Sequence, residues 1–572
     1  MGSVWPYHFV HLTVDQLEDR RNTLDRNGFY AWLSPIALLG FIFAIRRVTS
    51  ASTRNAVHPP GKPMEQPPSA LQHQQRRILW WLDQPLTQEF GPRKVHILGA
   101  VYASWLLFLT FRQTGYDYLH LTKRFGHVAV SQLPFQYMMA IKSPRNPAQF
   151  ITGLSHEVLN PYHRLFGRII HLFLATHAIL YITYFSIAGI LGQQCRHWDV
   201  RLGLAAFLIF NILAITAIPP IRKSAYHQKF YRAHAILSGL LMPALFFHVP
   251  FTRKYVYQMI AYYIFNGAAR KNSTTVPILS SVTPIPGTSL LKLRVPGPAW
   301  GVPPLMGAGT PGWVPGQHVY VKQSISPAMP RSPFTVVSLP PAEGQDGGDE
   351  SSNIDLVIRN LNGPNTGWLA AKPEETGSDQ QNVKVLVEGP YGEAREYVPE
   401  LLQVGESGGS IMLVAGGVGA TFTIPIYLCL LAKRKSTRAI HFIWVVKSLK
   451  EAEWGLAMLK TAKAPEVDAA VYVTKGSDKS LHDNGFEEVW NGLKVLSYGR
   501  RPEMQAIVDD VFSPNRAPEK GTVGISKSYV KVNVLACGPP SMMRALRMAV
   551  GRHVMGYGRD VLYHEEAFGL GT

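Results

Sequence analysis

Four histidines define the chemistry open to this sequence. His163 and His177 lie 14 residues apart, and so do His234 and His248, each pair inside an apolar stretch. At 100° per residue, fourteen residues fall about 40° short of four full helical turns. Each pair therefore shares one helix face, its members about 21 Å apart along the axis. Haem iron accepts two axial imidazoles. Two helices with matching spacing can thus hold two haems one above the other, His163 pairing with His234 and His177 with His248 as ligands of the haem iron. A lone histidine in such a place is more often a hydrogen-bonded packing residue, and His171, which has no 14-residue partner, is read that way. Four histidines that agree in spacing and depth point to function, because ionisable groups at membrane depth usually do.

These histidines need helices that cross a bilayer, which takes about 20 apolar residues each. Seven candidate spans fall at roughly 29–45, 95–112, 126–141, 162–185, 199–218, 231–250 and 254–269, the first, third and seventh being short. The polar, Pro-rich segment between the first two reads as a flexible loop. Lys and Arg number eight, two and three in the loops 46–94, 142–161 and 219–230, against two, one and one in 113–125, 186–198 and 249–253. By the positive-inside rule the first set is cytoplasmic, and so is everything after the seventh span. The net charge of +19 is therefore read as membrane topology and not as a nucleic-acid interface. Cys195, Cys429 and Cys537 are too far apart for a metal-spaced pair or a disulfide framework.

From about residue 275 the pattern changes. Short alternating runs at Leu290–Val295, His318–Val321 and Asp355–Arg359, punctuated by Pro and Gly, predict a small antiparallel barrel. After the Gly-rich break at Glu406–Ser410, the apolar strands Ile411–Ala415, His441–Val446, Val471–Thr474 and Val532–Cys537 alternate with helical stretches. That alternation predicts an α/β nucleotide-binding fold. The expected fold class is an α-helical transmembrane bundle of about seven helices followed by an antiparallel β-barrel and an α/β nucleotide-binding domain.

Particular residues carry a family resemblance over about 95–572. Arg124-Phe125-Gly126 through Leu133-Pro134 to Asn146-Pro147, then His163-Arg164-Leu165-Phe166-Gly167-Arg168, then Ile218-Pro219-Pro220-Ile221-Arg222 with Tyr226 and Phe230, resemble the ferric reductase transmembrane domain. Arg331-Ser332-Pro333-Phe334-Thr335 resembles a His-Pro-Phe-Thr motif that packs on flavin, with Ser332 in place of the histidine. Arg359 with Gly363 and Thr366 resembles a segment near the FAD pyrophosphate, where a cation and backbone amides suit the anion. Gly389-Pro390-Tyr391-Gly392 matches the turn that closes the barrel. Gly416-Gly417-Val418-Gly419 stands after a strand and before a helix, where backbone approaches phosphate closely. Cys537-Gly538-Pro539 ends a strand and resembles the segment beside the nicotinamide; a buried Cys alone is usually packing. Glu565-Glu566-Ala567-Phe568-Gly569 resembles a terminal Glu-Ser-Phe-Gly whose aromatic covers the flavin face, Ala567 replacing the serine. Lys475, Arg500 and Arg501 are candidates for the extra phosphate of NADPH.

The resemblance is to the ferric-chelate reductase and NADPH oxidase superfamily, metalloreductase branch. It implies a ferredoxin-reductase-like module (antiparallel β-barrel FAD domain plus α/β nucleotide-binding domain), NADPH and FAD on the cytosolic side, two haems of b type, and ferric or cupric chelates as acceptor, with Cys537 and Phe568 at the hydride-transfer site. It also implies an iron permease or oxidase as partner, and the plasma membrane is the default location. Residues 1–94 are expected to form the first span and its loop, 95–270 the haem domain, 271–405 the FAD barrel and 406–572 the NADPH domain. The main rival is reduction of dioxygen to superoxide by the same parts. Two further rivals are a transporter using the histidines as a metal or proton relay, and a partner subunit without turnover.

Overall fold

The computed structural model describes residues 6–55, 69–87, 91–143, 145–224, 227–296, 313–324, 331–340, 353–362, 366–370, 381–404, 410–433, 440–460, 469–475, 486–490, 493–497, 500–512 and 531–566. The chain forms two compact units. One holds Met1–Val57 and Leu82–Asn272; the other holds His58–Trp81 and Ser273–Gly569.

The first unit is helical: α1 (Val14–Asn55), then, after the segment given to the other unit, the end of α2 (Ala70–Asp83) and α3 (Arg93–Phe111). There follow α4 (Tyr118–Ser131), α5 (Leu133–Met139), α6 (Pro147–Thr152), α7 (His156–Ile187), α8 (Leu191–Gln194), α9 (Trp198–Thr216), α10 (Pro219–Ser224), α11 (His227–His248) and α12 (Arg253–Asn272). Among the described residues five helices are long and apolar enough to cross a membrane: Val14–Val48, Arg93–Phe111, His156–Ile187, Trp198–Thr216 and Lys229–His248. The expected third span is two shorter helices. Asp117 caps α4 by accepting from the His120 amide at 3.1 Å, and Pro134 sits in the first turn of α5, where its missing N–H leaves no bond unmade. The expected seventh span is the helix α12, which carries cations at both ends. Ser155 caps α7 through the Val158 amide. Leu121, Val128, Ile170, Leu241, Val256 and Met259 lie in the apolar core of this unit.

In the second unit six antiparallel strands form the barrel: β1 (Ile278–Pro284), β2 (Leu290–Val295), β3 (His318–Gln323), β4 (Ser332–Thr335), β5 (Ile354–Arg359) and β6 (Gln381–Tyr391). Their order is β4-β3-β6-β1-β2-β5. A bridge between Val336 and Leu356 joins the two edges, so the sheet is nearly closed. After α13 (Ala394–Val404) come β7 (Ser410–Gly416), α14 (Ala420–Lys433), β8 (Ile440–Val446), α15 (Glu453–Lys460), β9 (Ala469–Val473), β10 (Phe486–Trp490) and β11 (Leu493–Ser497). The chain ends with α16 (Met504–Phe512), β12 (Val532–Cys537), α17 (Pro540–Tyr557) and β13 (Val561–Glu566). The sheet order is β10-β11-β9-β8-β7-β12-β13, parallel except for β10. Its two faces are covered by separate apolar clusters, one holding Leu413, Phe422 and Trp444, the other Val414, Val534 and Leu546. Burial on both faces is what continuous Val/Ile/Leu strands require.

The segment read as a flexible loop contains a helix. Residues 59–68, its Pro-rich part, lie outside the described residues, but Ala70–Trp81 of α2 packs on the α/β domain. Arg76 donates to the Gly558 carbonyl at 3.1 Å and pairs with Asp560 at 2.9 Å. The Trp80 ring meets Tyr563 edge-on, centroids 5.6 Å apart, and lies against Gly551, where a Cβ would come within 3.0 Å. The helix forms because an amphipathic stretch finds a partner surface, an effect that local composition does not show.

Candidate electron-transfer site

The helix α9 packs against both α7 and α11, whereas α7 and α11 are not close-packed on each other among the described residues. His163 lies near enough to His234 to interact electrostatically, and His177 likewise to His248.

Each ring is oriented by its surroundings. His177 donates from Nδ1 to the Thr122 carbonyl at 2.7 Å, and His248 from Nδ1 to the Asp199 carbonyl at 2.7 Å. Both rings rest on a glycine. A Cβ on Gly126 would come within 2.7 Å of the His177 ring, and one on Gly203 within 2.6 Å of the His248 ring. In each case the glycine stands four residues after the accepting carbonyl, one helical turn on and on the same face. The imidazole therefore sits in a notch that only hydrogen leaves open. His163 is held differently: its Nδ1 reaches the Gln136 carbonyl at 3.2 Å, while Gln136 Nε2 donates to the His163 carbonyl at 2.8 Å. His234 Nδ1 is buried with no partner among the described residues. Committing Nδ1–H to a carbonyl leaves Nε2 as the lone-pair nitrogen, the form that binds a metal. The tautomers of His163, His177 and His248 fit imidazole ligation of haem iron, and at the His177–His248 level the two notches fit it as well. His171 bonds to Asn211 at 3.1 Å, in keeping with a packing role.

The second constellation lies in the second unit. Ser332 and Thr335 of β4 are each 3% exposed, and their hydroxyl oxygens have no hydrogen-bond partner among the described residues. Buried orphaned hydroxyls ask for a polar ligand, so this strand fits a flavin edge. Pro333 and Phe334, between them, are half-buried. Arg331 forms an ion pair with Glu388, which also accepts from Tyr391 Oη at 3.0 Å. Gly389 and Gly392 have φ of +140° and +109°, a backbone that favours glycine; Pro390 and Tyr391 lie between them. Arg359 pairs with Glu451 at 2.9 Å and reaches within 3.4 Å of where a Cβ of Gly417 would stand. It therefore faces the Gly-rich turn with a carboxylate already on it. Gly363 lies outside the described residues.

The Gly-rich turn and the Cys-Gly-Pro segment converge. A Cβ on Gly416 would meet Pro539 at 2.5 Å and Gly538 Cα at 3.1 Å, and one on Gly419 would meet the Cys537 carbonyl oxygen at 2.1 Å. Trp444 Nε1 donates to the Gly417 carbonyl at 2.9 Å and fixes the turn. Burial pushes the Cys537 thiol well up, and Glu566 and Glu565 add to this, so it stays protonated. Tyr397, His564 and Glu393 gather beside it. The Tyr397 and His564 rings lie tilted against each other, centroids 4.5 Å apart, His564 lies 3.5 Å from Glu393 and 3.3 Å from Glu566, and burial raises the Tyr397 phenol well above its usual range. Lys475, Arg500 and Arg501 are exposed and follow the carboxyl ends of β9 and β11, the edge where open α/β sheets bind ligands. They do not join the Cys537 cluster. Phe568 and Ala567 lie outside the described residues.

Several of these residues are invisible to a reading by residue type. Thr122, Asp199 and Gln136 act through main-chain carbonyls. Gly203 belongs to no motif, and Tyr397 and His564 meet only in three dimensions. Gly126 was legible as part of Arg-Phe-Gly, though not its reason.

Comparison with known proteins supplies the family context. Residues 125–245 match the ferric reductase like transmembrane component, 307–395 an FAD-binding domain, and 409–551 the ferric reductase NAD binding domain. A ferric/cupric reductase transmembrane component 1 of Candida albicans is 23% identical over 74% of this chain and 54% of its own length. A probable metalloreductase AIM14 of Debaryomyces hansenii is 23% identical over 75% of this chain and 80% of its own. Of the first two relatives, both from Candida albicans, the chain spans 54% and 61%. The CS-b5R domains of human Ncb5or align with TM-score 0.32 and 16% identity, over 50% of this chain and 69% of that one.

Proposed function

Because the chain belongs to the ferric reductase family, we propose that it passes electrons from cytosolic NADPH, by way of FAD and two b-type haems, to a ferric or cupric chelate across the membrane. The observation that carries this reading is the two-level histidine arrangement, in which three of four imidazoles direct Nδ1–H to a main-chain carbonyl. Bound FAD takes a hydride and releases electrons singly, and bound haem relays them one at a time.

The chain's own residues position these groups. His163, His177, His234 and His248 would hold iron. Thr335, with Pro333 and Phe334, would meet the flavin, and Gly389, Pro390, Tyr391 and Gly392 would shape its pocket. Arg359 would meet the pyrophosphate on exchanging Glu451 for it. Gly416, Gly417, Gly419, Gly538 and Pro539 would admit the dinucleotide beside Cys537, whose neutral thiol keeps charge away from the nicotinamide. Phe568 would cover the flavin face, and Lys475 and Arg500 would take the extra phosphate. The partition at about 95, 271 and 406, the plasma membrane, the cytoplasmic C-terminal half and a permease or oxidase that receives the reduced metal belong to the same proposal.

The test is the full chain in proteoliposomes with haem and FAD, NADPH outside and a ferrous-trapping ligand with ferric chelate inside. Superoxide dismutase and catalase are enclosed with the chelate in one arm and omitted from a second. Ferrous ion should form inside in step with NADPH oxidation. NADPH oxidation without ferrous ion, or with ferrous ion abolished by the dismutase, overturns the assignment of acceptor.

A further inference from the structure

We infer that one face of α2, running from Leu71 to Leu82, is a lipid-binding surface that lies in the headgroup layer of the membrane, while the opposite face of the same helix packs on the α/β domain. The inference goes beyond the electron-transfer reading and uses none of its cofactors.

At 100° per residue the helix has two opposite faces. His73, Arg76, Arg77 and Trp80 fall within about 100° of one another. Arg76, Arg77 and Trp80 meet the Gly558 and Gly556 carbonyls, Asp560 and Tyr563, and the His73 ring stands where a Cβ of Gly558 would be. About half a turn away, Leu71, Ile78 and Leu82 lie within about 40° of one another, with Leu79 and Trp81 about 80° to either side. Gln74 and Gln75 share that arc, and no charged residue stands on it. Its side chains are turned outward: Leu71 is 76% exposed, Ile78 50%, Leu79 51% and Trp81 46%. Docking on the α/β domain does not call for these residues, and a contiguous exposed apolar face marks an interaction surface.

What covers the face follows from where the helix ends. After α2 the chain folds back in a short antiparallel pair, Pro85–Thr87 with Gly91–Pro92. Arg93, the first residue of α3, donates its N–H to the Gln84 carbonyl at 3.0 Å, and Lys94 pairs with Asp83 at 2.6 Å. The helix α3 is long and apolar enough to cross a membrane, so Asp83 stands where a span enters the bilayer. Ile78 and Leu79 are within five residues of Asp83, about 7.5 Å of helix axis. The composition suits a lipid surface. Tryptophan is enriched at the membrane–water interface, and Trp81 edges the apolar arc. Helices that lie in that interface carry Leu and Trp on one side and Arg or Lys on the other. Arg93 and Lys94 add cations that attract lipid phosphates.

The experiment places a photoreactive p-benzoylphenylalanine at Leu71, Ile78, Leu79 or Trp80, one per variant of the full-length protein. Each variant is reconstituted in vesicles of phosphatidylcholine and phosphatidylserine, irradiated, and analysed by mass spectrometry. At Leu71, Ile78 and Leu79 the α2 peptide should gain the mass of one phospholipid. At Trp80 it should cross-link to α17 or β13 of the same chain. Cross-links between two chains at the first three positions would make the face a contact between copies and overturn the inference. So would cross-links there to other parts of the same chain, or lipid at Leu79 with none at Leu71. Lipid adducts at Trp80 would show that the helix has left the α/β domain, and would overturn the two-faced reading. If the bulky residue disturbs the fold, Leu79→Cys carrying a nitroxide serves, in a chain with Cys195→Ser and Cys429→Ser. Its collisions with dissolved oxygen should exceed those with a water-soluble nickel chelate, and the reverse ratio sinks the proposal.

Discussion

Replacing Gly203 by alanine should remove one haem and leave the other. The added Cβ would lie 2.6 Å from Cε1, 2.9 Å from Nδ1 and 3.3 Å from Nε2 of His248. Carbon atoms pack at about 3.5–4.0 Å, so the ring must retreat by roughly 1 Å. It has little room to do so, because Nδ1 is held 2.7 Å from the Asp199 carbonyl one turn earlier on the same helix. Overpacking of this kind costs about 1–3 kcal/mol, which weakens haem binding roughly 5- to 150-fold at 1.4 kcal/mol per decade. The usual effect of the substitution has the opposite sign: alanine in a helix interior is favoured over glycine by about 1 kcal/mol. Haem loss therefore cannot be assigned to a weakened helix. Gly40→Ala is the control, since nothing lies within 4 Å of its Cβ position in the middle of α1. Pyridine haemochrome analysis of detergent-purified protein should give two haems per chain for the wild type and Gly40→Ala, and close to one for Gly203→Ala. Two haems with an unchanged spectrum in Gly203→Ala would refute the notch.

Three further outcomes are expected. Gly419→Ala places a Cβ 2.1 Å from the Cys537 carbonyl oxygen, a backbone atom that cannot swing away; stopped-flow bleaching of the flavin by NADPH should slow by at least about tenfold, one decade for each 1.4 kcal/mol, and an unaltered rate would show that the two turns do not need close approach. Glu388→Gln keeps shape but removes the charge that pairs with Arg331 and accepts from Tyr391; thermal unfolding should report a loss of about 1–3 kcal/mol, and an unchanged transition would remove Glu388 from the barrel's stability. For Asp355, burial raises the carboxyl pKa, but hydrogen bonds from Arg294 and Lys292 outweigh it and hold the pKa below 3.8. A depressed folded pKa gives stability that is complete above the unfolded value and fades as pH falls through the folded one. Asp355→Asn should thus flatten the acid limb of the stability curve below about pH 4, and an identical limb would contradict the assignment.

Much of this architecture was readable before any coordinates, because its signals are periodic. The strands expected at Leu290–Val295 and Val532–Cys537 have those same limits, and the histidines spaced by 14 residues lie on α7 and α11. The parts that were not readable depend on groups without side-chain identity or on partners distant in sequence. The carbonyls of Thr122 and Asp199 look like any others until a ring is set against them. The third span is broken at Gln132 because capping and Pro134 divide a run that hydropathy reads as continuous. Arg359 was expected near a pyrophosphate, and its ion pair with Glu451, 92 residues on, is a tertiary fact. Ser332, which departs from the usual histidine, is a buried hydroxyl without a partner among the described residues, so the substitution keeps a polar group there in a smaller form.

The helix Ala70–Asp83 bears on how the protein can be taken apart. A recombinant piece beginning at Ser273 would include the barrel and the sheet but lack Arg76 and Trp80, leaving Asp560 without its guanidinium and Tyr563 and Gly551 without the indole that covers them. That bare patch adjoins β13, the sheet's outermost strand, and an uncovered edge invites pairing between molecules. Grafting residues 69–83 onto such a piece should keep it monomeric, because the missing cover lies upstream of the second membrane helix.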